Sequence, residues 1–135
     1  MASCYTRISH SHEGCCILVR SGTDYMELKS LKEKSIELVM ECSAIRIKST
    51  NLIIINVYRP PSDNVEEFLM LIQTMLHEVF TENIKYEVLL SGDFNVDLTE
   101  PGRDGKLLLN IMKQFGLKPT INEATRVTVV KDDYR

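Results

Sequence analysis

Leu52-Ile53-Ile54-Ile55-Asn56-Val57 runs without a break into Tyr58-Arg59-Pro60-Pro61. The near-continuous apolar run, rich in β-branched side chains, reads as a strand covered on both faces and therefore central to its sheet. Pro60 and Pro61 stop it, because proline has no N–H to give a ladder. A central strand that ends in Tyr58 and Arg59 sets polar side chains on a rigid support beside a loop, where substrate has room.

Upstream of this strand, Ile36, Leu38, Met40 and Cys42 alternate with Glu37, Glu41 and Ser43, the period of a half-buried strand. The apolar phase shifts at Ile45 and Ile47, which predicts a bulge or bend near Ser43-Ala44. Ser49-Thr50-Asn51 turns the chain, so residues 36–57 are expected to pair antiparallel. Earlier still, residues 15–20, with Ile17 and Val19, read as a short strand. Ser21-Gly22-Thr23 is a turn signal, residues 24–29 a second short strand, and residues 30–34 a polar break.

Downstream, residues 63–80 predict a helix. Val65, Phe68, Leu69, Ile72, Met75, Leu76 and Val79 keep helical spacing, and Asp63 with Glu66 makes a capping-box-like start. Residues 86–91 are another apolar strand, ending at Gly92-Asp93-Phe94-Asn95. A second helix is expected over residues 104–115, with Leu108, Ile111, Met112 and Phe115 on one face. Gly116 serves as its stop, and Pro119 lies just beyond. Residues 120–135 are polar and without period. Several strands, helix, strand, helix, with hairpin-like connections early, predict layered α/β architecture: mixed sheets with helices packed outside. A purely parallel doubly wound sheet fits less well.

The 135 residues make one domain at most, residues 1–135, with no repeat or linker to divide them. Apolar residues at 44% and charged residues at 26% are ordinary for a globular protein. No run is long and apolar enough to span a bilayer, and Met1-Ala2-Ser3-Cys4-Tyr5-Thr6-Arg7 lacks the apolar core of a secretory signal. Cys4, Cys15, Cys16 and Cys42 form no CxxC pair and no ligand-spaced cluster, which suits a reduced, intracellular protein. Cys15 and Cys16 would point to opposite faces of a strand. A net charge of −3 and a pI near 5.6 argue against holding nucleic acid by bulk charge. They leave open a small cleft that engages phosphates locally.

Two segments could carry chemistry. Asp93 and Asn95 are two apart, so in extended backbone they leave one face about 7 Å apart. An ionised Asp93 accepts only and can orient or deprotonate a water. Asn95 donates and accepts, and can hold a phosphate oxygen or fix the carboxylate. Tyr58 can donate to a phosphoryl oxygen, and Arg59 can grip phosphate in a bidentate fork. Each has a plain alternative. Gly-Asp-x-Asn is a common strand-end turn, and Tyr58 and Arg59 can be a core-edge aromatic and a solvated base.

The order "apolar strand, Asn56-Val57-Tyr58-Arg59-Pro60-Pro61, helix, apolar strand, Gly92-Asp93-Phe94-Asn95" resembles the endonuclease domain of non-LTR retrotransposons. That domain belongs to the endonuclease/exonuclease/phosphatase superfamily, with the abasic-site endonucleases and deoxyribonuclease I. Residues 5–19, with Ser11-His12-Glu13-Gly14, look like the family's His-Gly-Gly-then-strand segment, although Glu13 stands where glycine is usual. Gly102-Arg103-Asp104-Gly105-Lys106-Leu107-Leu108, Gly116-Leu117 and Asn122-Glu123-Ala124-Thr125-Arg126 also read like the family.

The resemblance implies a four-layer deoxyribonuclease I-like sandwich and Mg²⁺-dependent, in-line hydrolysis of DNA phosphodiesters. Asp93 would activate the attacking water, Asn95 would orient it or bind phosphate, and Tyr58 would support the transition state. Thr125 would contact the phosphate, with Thr128 close enough to compete. DNA and an associated reverse transcriptase domain are the implied partners, and the nucleus the implied location.

The family's Gln-Glu metal-ligand strand and its terminal Ser-Asp-His are not in this sequence, and the resemblance would set them before Met1 and after Arg135. His10, His12 and His77 do not replace them, nor do Glu27, Glu33, Glu37 or Glu41. Asp93 with Asn95 alone would hold Mg²⁺ weakly, so the 135 residues by themselves are expected to be inactive, with unpaired strand edges and poor solubility or dependence on a partner. Three readings follow: an endonuclease domain whose remaining segments lie elsewhere, a catalytically inert remnant of an element, and a lipid or inositol-phosphate phosphatase of the same superfamily. The Tyr-Arg-Pro-Pro stretch favours the retroelement branch.

Overall fold

The computed structural model describes residues 1–8, 14–61, 64–81 and 85–125. Along the chain these form β1 (Ser3–Thr6), β2 (Gly14–Ile17), β3 (Tyr25–Glu27), α1 (Lys29–Lys32), β4 (Glu41–Ile47) and β5 (Leu52–Tyr58), then α2 (Val65–Thr81), β6 (Glu87–Asp93) and α3 (Arg103–Gln114). The class is mixed α/β. One sheet has the order β3-β4-β5-β6, and β1 pairs with β2 in a separate two-stranded sheet. Strands β3, β4 and β5 are antiparallel neighbours, whereas β5 and β6, joined through α2, run parallel.

Strand β5 is interior to its sheet and covered on both sides. Ile53, Ile55 and Val57 point to the helices, where they join Phe68, Ile72, Met75 and Leu76 of α2 and Leu108 and Met112 of α3 in the main core. The opposite face looks toward the β1–β2 hairpin, where Ile17 and Ala2 pack on Ile45 and Ile54. The buried residues of α2 recur at three- and four-residue spacing, which confines the apolar stripe to one side. Helix α3 ends in a Schellman motif. Gly116 takes φ +71°, its N–H reaches the Lys113 carbonyl, and the Leu117 N–H reaches that of Met112.

Two local expectations are corrected. Residues 36–40 are a tight loop rather than a strand. Ile36 and Met40 form an isolated bridge, Leu38 sits at φ +66°, and the Ser35 hydroxyl accepts from the Cys42 N–H. Ile36 and Leu38 are exposed, so their alternation with polar residues did not reflect a buried face. Nor is there a bulge at Ser43-Ala44, because β4 pairs with β5 without interruption from Glu41↔Tyr58 to Ile47↔Leu52. The phase shift arises because β4 is buried on both faces, as far as Ile45, and no alternation is required there. The polar break at residues 30–34 holds the short helix α1, whose Leu31 enters the core. The Asp63 cap lies outside the described residues.

Strand β6 is an edge of the described sheet. Its Leu89 stands in one row with Ile45 and Ile54, yet the hairpin packs on β4 and β5 and leaves Leu89 48% exposed. Among the described residues, no helix is long and apolar enough to cross a membrane.

Candidate functional site

Parallel strands β5 and β6 end together, and Tyr58 and Asp93 are direct partners in the register. Their side chains therefore leave the same face of the sheet, about 5 Å apart at the backbone. Glu41 is the partner of Tyr58 on the other side, so Glu41, Tyr58 and Asp93 form one row across three strands. The next row on this face is Ser43, Asn56 and Ser91.

Each row is tied to its surroundings by polar contacts. Arg7 makes a buried ion pair with Glu41 and lies over the Tyr58 ring, 5.8 Å from its centroid. Ser43 Oγ donates to the Cys15 carbonyl, Asn56 Nδ2 donates to the Cys16 carbonyl, and Ser91 Oγ donates to the Ile55 carbonyl. Tyr5 adjoins this cluster, and its phenol is pushed above the ordinary value by burial, with the charges of Glu37 and Glu41 adding to the shift. Asp93 is exposed and Tyr58 half-buried, so the row grades from a dry end at Glu41 to a wet end at Asp93.

Gly92 lets the strands meet. It takes φ +131°, and a Cβ there would lie 1.8 Å from the Val57 carbonyl oxygen. Beyond it the chain turns. Asp93 Oδ1 accepts from the Asn95 N–H at 3.1 Å, and Asn95 takes the left-handed conformation at φ +48°. The expected extended Asp93-x-Asn95 pair is thus replaced by an Asx turn. Asn95 turns toward the backbone instead, where its Nδ2 donates to the Arg59 carbonyl at 2.6 Å.

Arg59 is neither solvated nor an open fork. It is 4% exposed; its Nε donates to the Phe94 carbonyl, its Nη2 donates to the Asn95 carbonyl, and it stacks over Phe68. Burial pulls its guanidinium below the ordinary value, against the attraction of Asp104 and Asp93. As placed, Arg59 and Asn95 lock the end of β5 to the loop after β6. A cavity of about 230 Å³ opens beside this lock, lined by Arg59, Asn95, Asp97 and Asp104 among others.

Thr125 is exposed in irregular chain after α3, at the last described position; Thr128, His10 and His12 lie outside the described residues. Arg7, Glu41 and Ser43 were missed as members of the cluster. Glu41 carried a usable signal, a carboxylate between Met40 and Cys42 that demands a partner when buried. Nothing local marked Arg7.

The metal implied by the resemblance fits poorly on these residues alone. Mg²⁺ asks for several hard oxygens in octahedral array. Asp93 offers one exposed carboxylate with one oxygen already accepting, Glu41 is held by Arg7, and the described residues contain no group of three metal-ligating side chains.

No protein-family model, curated protein or solved structure matches the chain.

Proposed function

We propose that this chain is the central part of an endonuclease domain of the non-LTR retrotransposon kind, with a deoxyribonuclease I-like sandwich as its complete fold and DNA phosphodiesters as its substrate. The observation that carries the reading is the register pairing of Tyr58 with Asp93 at the ends of two parallel strands. A phosphoryl group seated over that edge meets a phenol that donates to a non-bridging oxygen and a carboxylate that accepts a proton from an attacking water. Asn95 and Arg59 act as positioning residues, since their hydrogen bonds hold the Asp93 loop against β5. Mg²⁺, implied by the resemblance, would need ligands beyond those described, and no step is assigned to it.

A second reading, a catalytically inert relative, is favoured by the same lock. With the Asn95 carboxamide held by the Arg59 carbonyl, that carboxamide serves the loop rather than a ligand. Reading the coding sequence on either side of this frame separates the two. A Gln-Glu strand upstream and a Ser-Asp-His downstream, followed by a reverse transcriptase, support the enzyme, whereas stop codons on both sides support the inert relative. Joined to those segments, the chain should nick supercoiled plasmid in Mg²⁺, and Asp93→Ala should slow nicking about 10³-fold, as loss of a key transition-state group does. Nicking that Asp93→Ala leaves unchanged overturns the assignment.

A further inference from the structure

We propose that Cys4 and Cys16 are an oxidisable dithiol that closes to a disulfide across the β1–β2 hairpin when the chain meets a peroxide. The two residues are direct antiparallel partners. Opposite residues in such a pair lie about 4.5–5.5 Å apart at Cα, inside the roughly 4.4–6.8 Å that a disulfide spans. They also share a face. Ser3, Cys15 and Ile17 are buried against the four-stranded sheet, so alternation turns Cys4 and Cys16 outward. Cys16 is exposed, Cys4 is partly exposed, and Cys4 Sγ lies 3.7 Å from Thr6 Oγ1 on that same outer face. Both thiols are free.

The other two cysteines are unsuited to the role. Cys15 is on the inner face, hydrogen-bonded with Ser43, and burial pushes its thiol up to about 11. Cys42 is buried against Met75, and burial pushes it up to about 12. They are poor nucleophiles at neutral pH, since the thiolate is the reactive form.

The chemistry closes with hydrogen peroxide as oxidant. The Cys16 thiolate attacks one peroxide oxygen, forming S–O and breaking O–O, and hydroxide leaves to become water. The Cys4 thiolate then attacks the sulfenic sulfur, forming S–S and breaking S–O, with a second water released. Two thiols lose two electrons, and one peroxide becomes two waters. The bridge fixes the hairpin whose Cys15 and Cys16 carbonyls accept from Ser43 and Asn56, so the polar rows beneath are held more firmly when oxidised. None of this depends on the phosphodiester reading.

The test uses the full chain, reduced, desalted and exposed to hydrogen peroxide, with intact mass measured under non-reducing conditions. The expected result is a monomer lighter by about 2 Da, with tryptic peptides 1–7 and 8–20 joined. Cys15→Ser and Cys42→Ser should still lose about 2 Da, whereas Cys4→Ser and Cys16→Ser should not. Phenylarsine oxide, which bridges two neighbouring thiols without oxidation, should bind the reduced wild type and neither Cys4→Ser nor Cys16→Ser. Oxygen addition at Cys16 without a bridge, a purely intermolecular dimer, or an unchanged 2 Da loss in Cys4→Ser would each overturn the proposal.

Discussion

On the helix side of β5, Ile53, Ile55 and Val57 join the apolar core and are nearly fully buried. On the hairpin side of the same strand, Ile54 packs on Ile45, but Asn56 and Tyr58 sit in polar rows with Ser43, Ser91, Glu41 and Asp93. One strand thus carries two kinds of cohesion. Non-directional burial holds the helix side and tolerates modest change of shape. The hairpin side depends on directional partners in low dielectric, where each missing partner costs heavily. A protein that needs a fixed polar constellation gains from this division, since the apolar face supplies stability and the polar face supplies geometry.

The largest break in this comparison should come from Arg7→Ala. It strands the Glu41 carboxylate in the interior, and unfolding by urea should show a loss of about 3–5 kcal/mol. The double replacement Arg7→Met with Glu41→Leu sharpens the point, because it removes both charges and should recover most of that loss. A double variant no more stable than Arg7→Ala would show that the pair is not the source of the cost.

On the helix side, Ile55→Ala should cost about 2–5 kcal/mol through lost burial and a residual cavity. Its partner on the other face, Ile54→Ala, should cost less, as Ile54 is only half-buried. Equal losses measured in urea would mean that the hairpin covers β5 as tightly as the helices do.

Arg59→Lys should be milder. An ammonium cannot reproduce the two parallel donations to the Phe94 and Asn95 carbonyls, and roughly 1–3 kcal/mol should go with them. Amide exchange should quicken at residues 93–95 while that of α2 stays put. Uniform acceleration across the chain would contradict a local role.

The smallest effect concerns Glu27, which ties the hairpin to the sheet edge through Ser3 while bonding Lys32. Its carboxyl is held below the ordinary 4.5, chiefly by Lys32 and further by Ser3. A depressed folded value means that the stabilisation is present above the unfolded pKa and lost as pH falls through the folded one. Glu27→Gln should therefore flatten the decline in thermal midpoint below about pH 4.5 and leave the midpoint's pH dependence near neutrality unchanged. An unaltered acid slope would remove Glu27 from that balance.

Much of the fold could be read along the chain. The continuous apolar run of β5, the helical spacing of α2 and the glycine stop of α3 are local patterns with local causes, and each element lies within two residues of its expected place. Residues 36–40 misled because Leu38 adopts a left-handed conformation, which periodicity does not register. The candidate site was half legible. Tyr58 and Asp93 end strands, as their sequence contexts imply, but Asn95 turns away because the Asp93 carboxylate captures its N–H.

By itself the sequence determined strands β5 and β6, helices α2 and α3 and, to within two residues, where they stop, because backbone propensity, period and proline act over a few residues. Only the tertiary structure decided that Arg7 reaches Glu41, that Glu41, Tyr58 and Asp93 share a row, and that Cys4 faces Cys16. Those pairings are set by strand register and by the burial of charges. Both are long-range quantities, fixed only when distant segments exclude water from the same space.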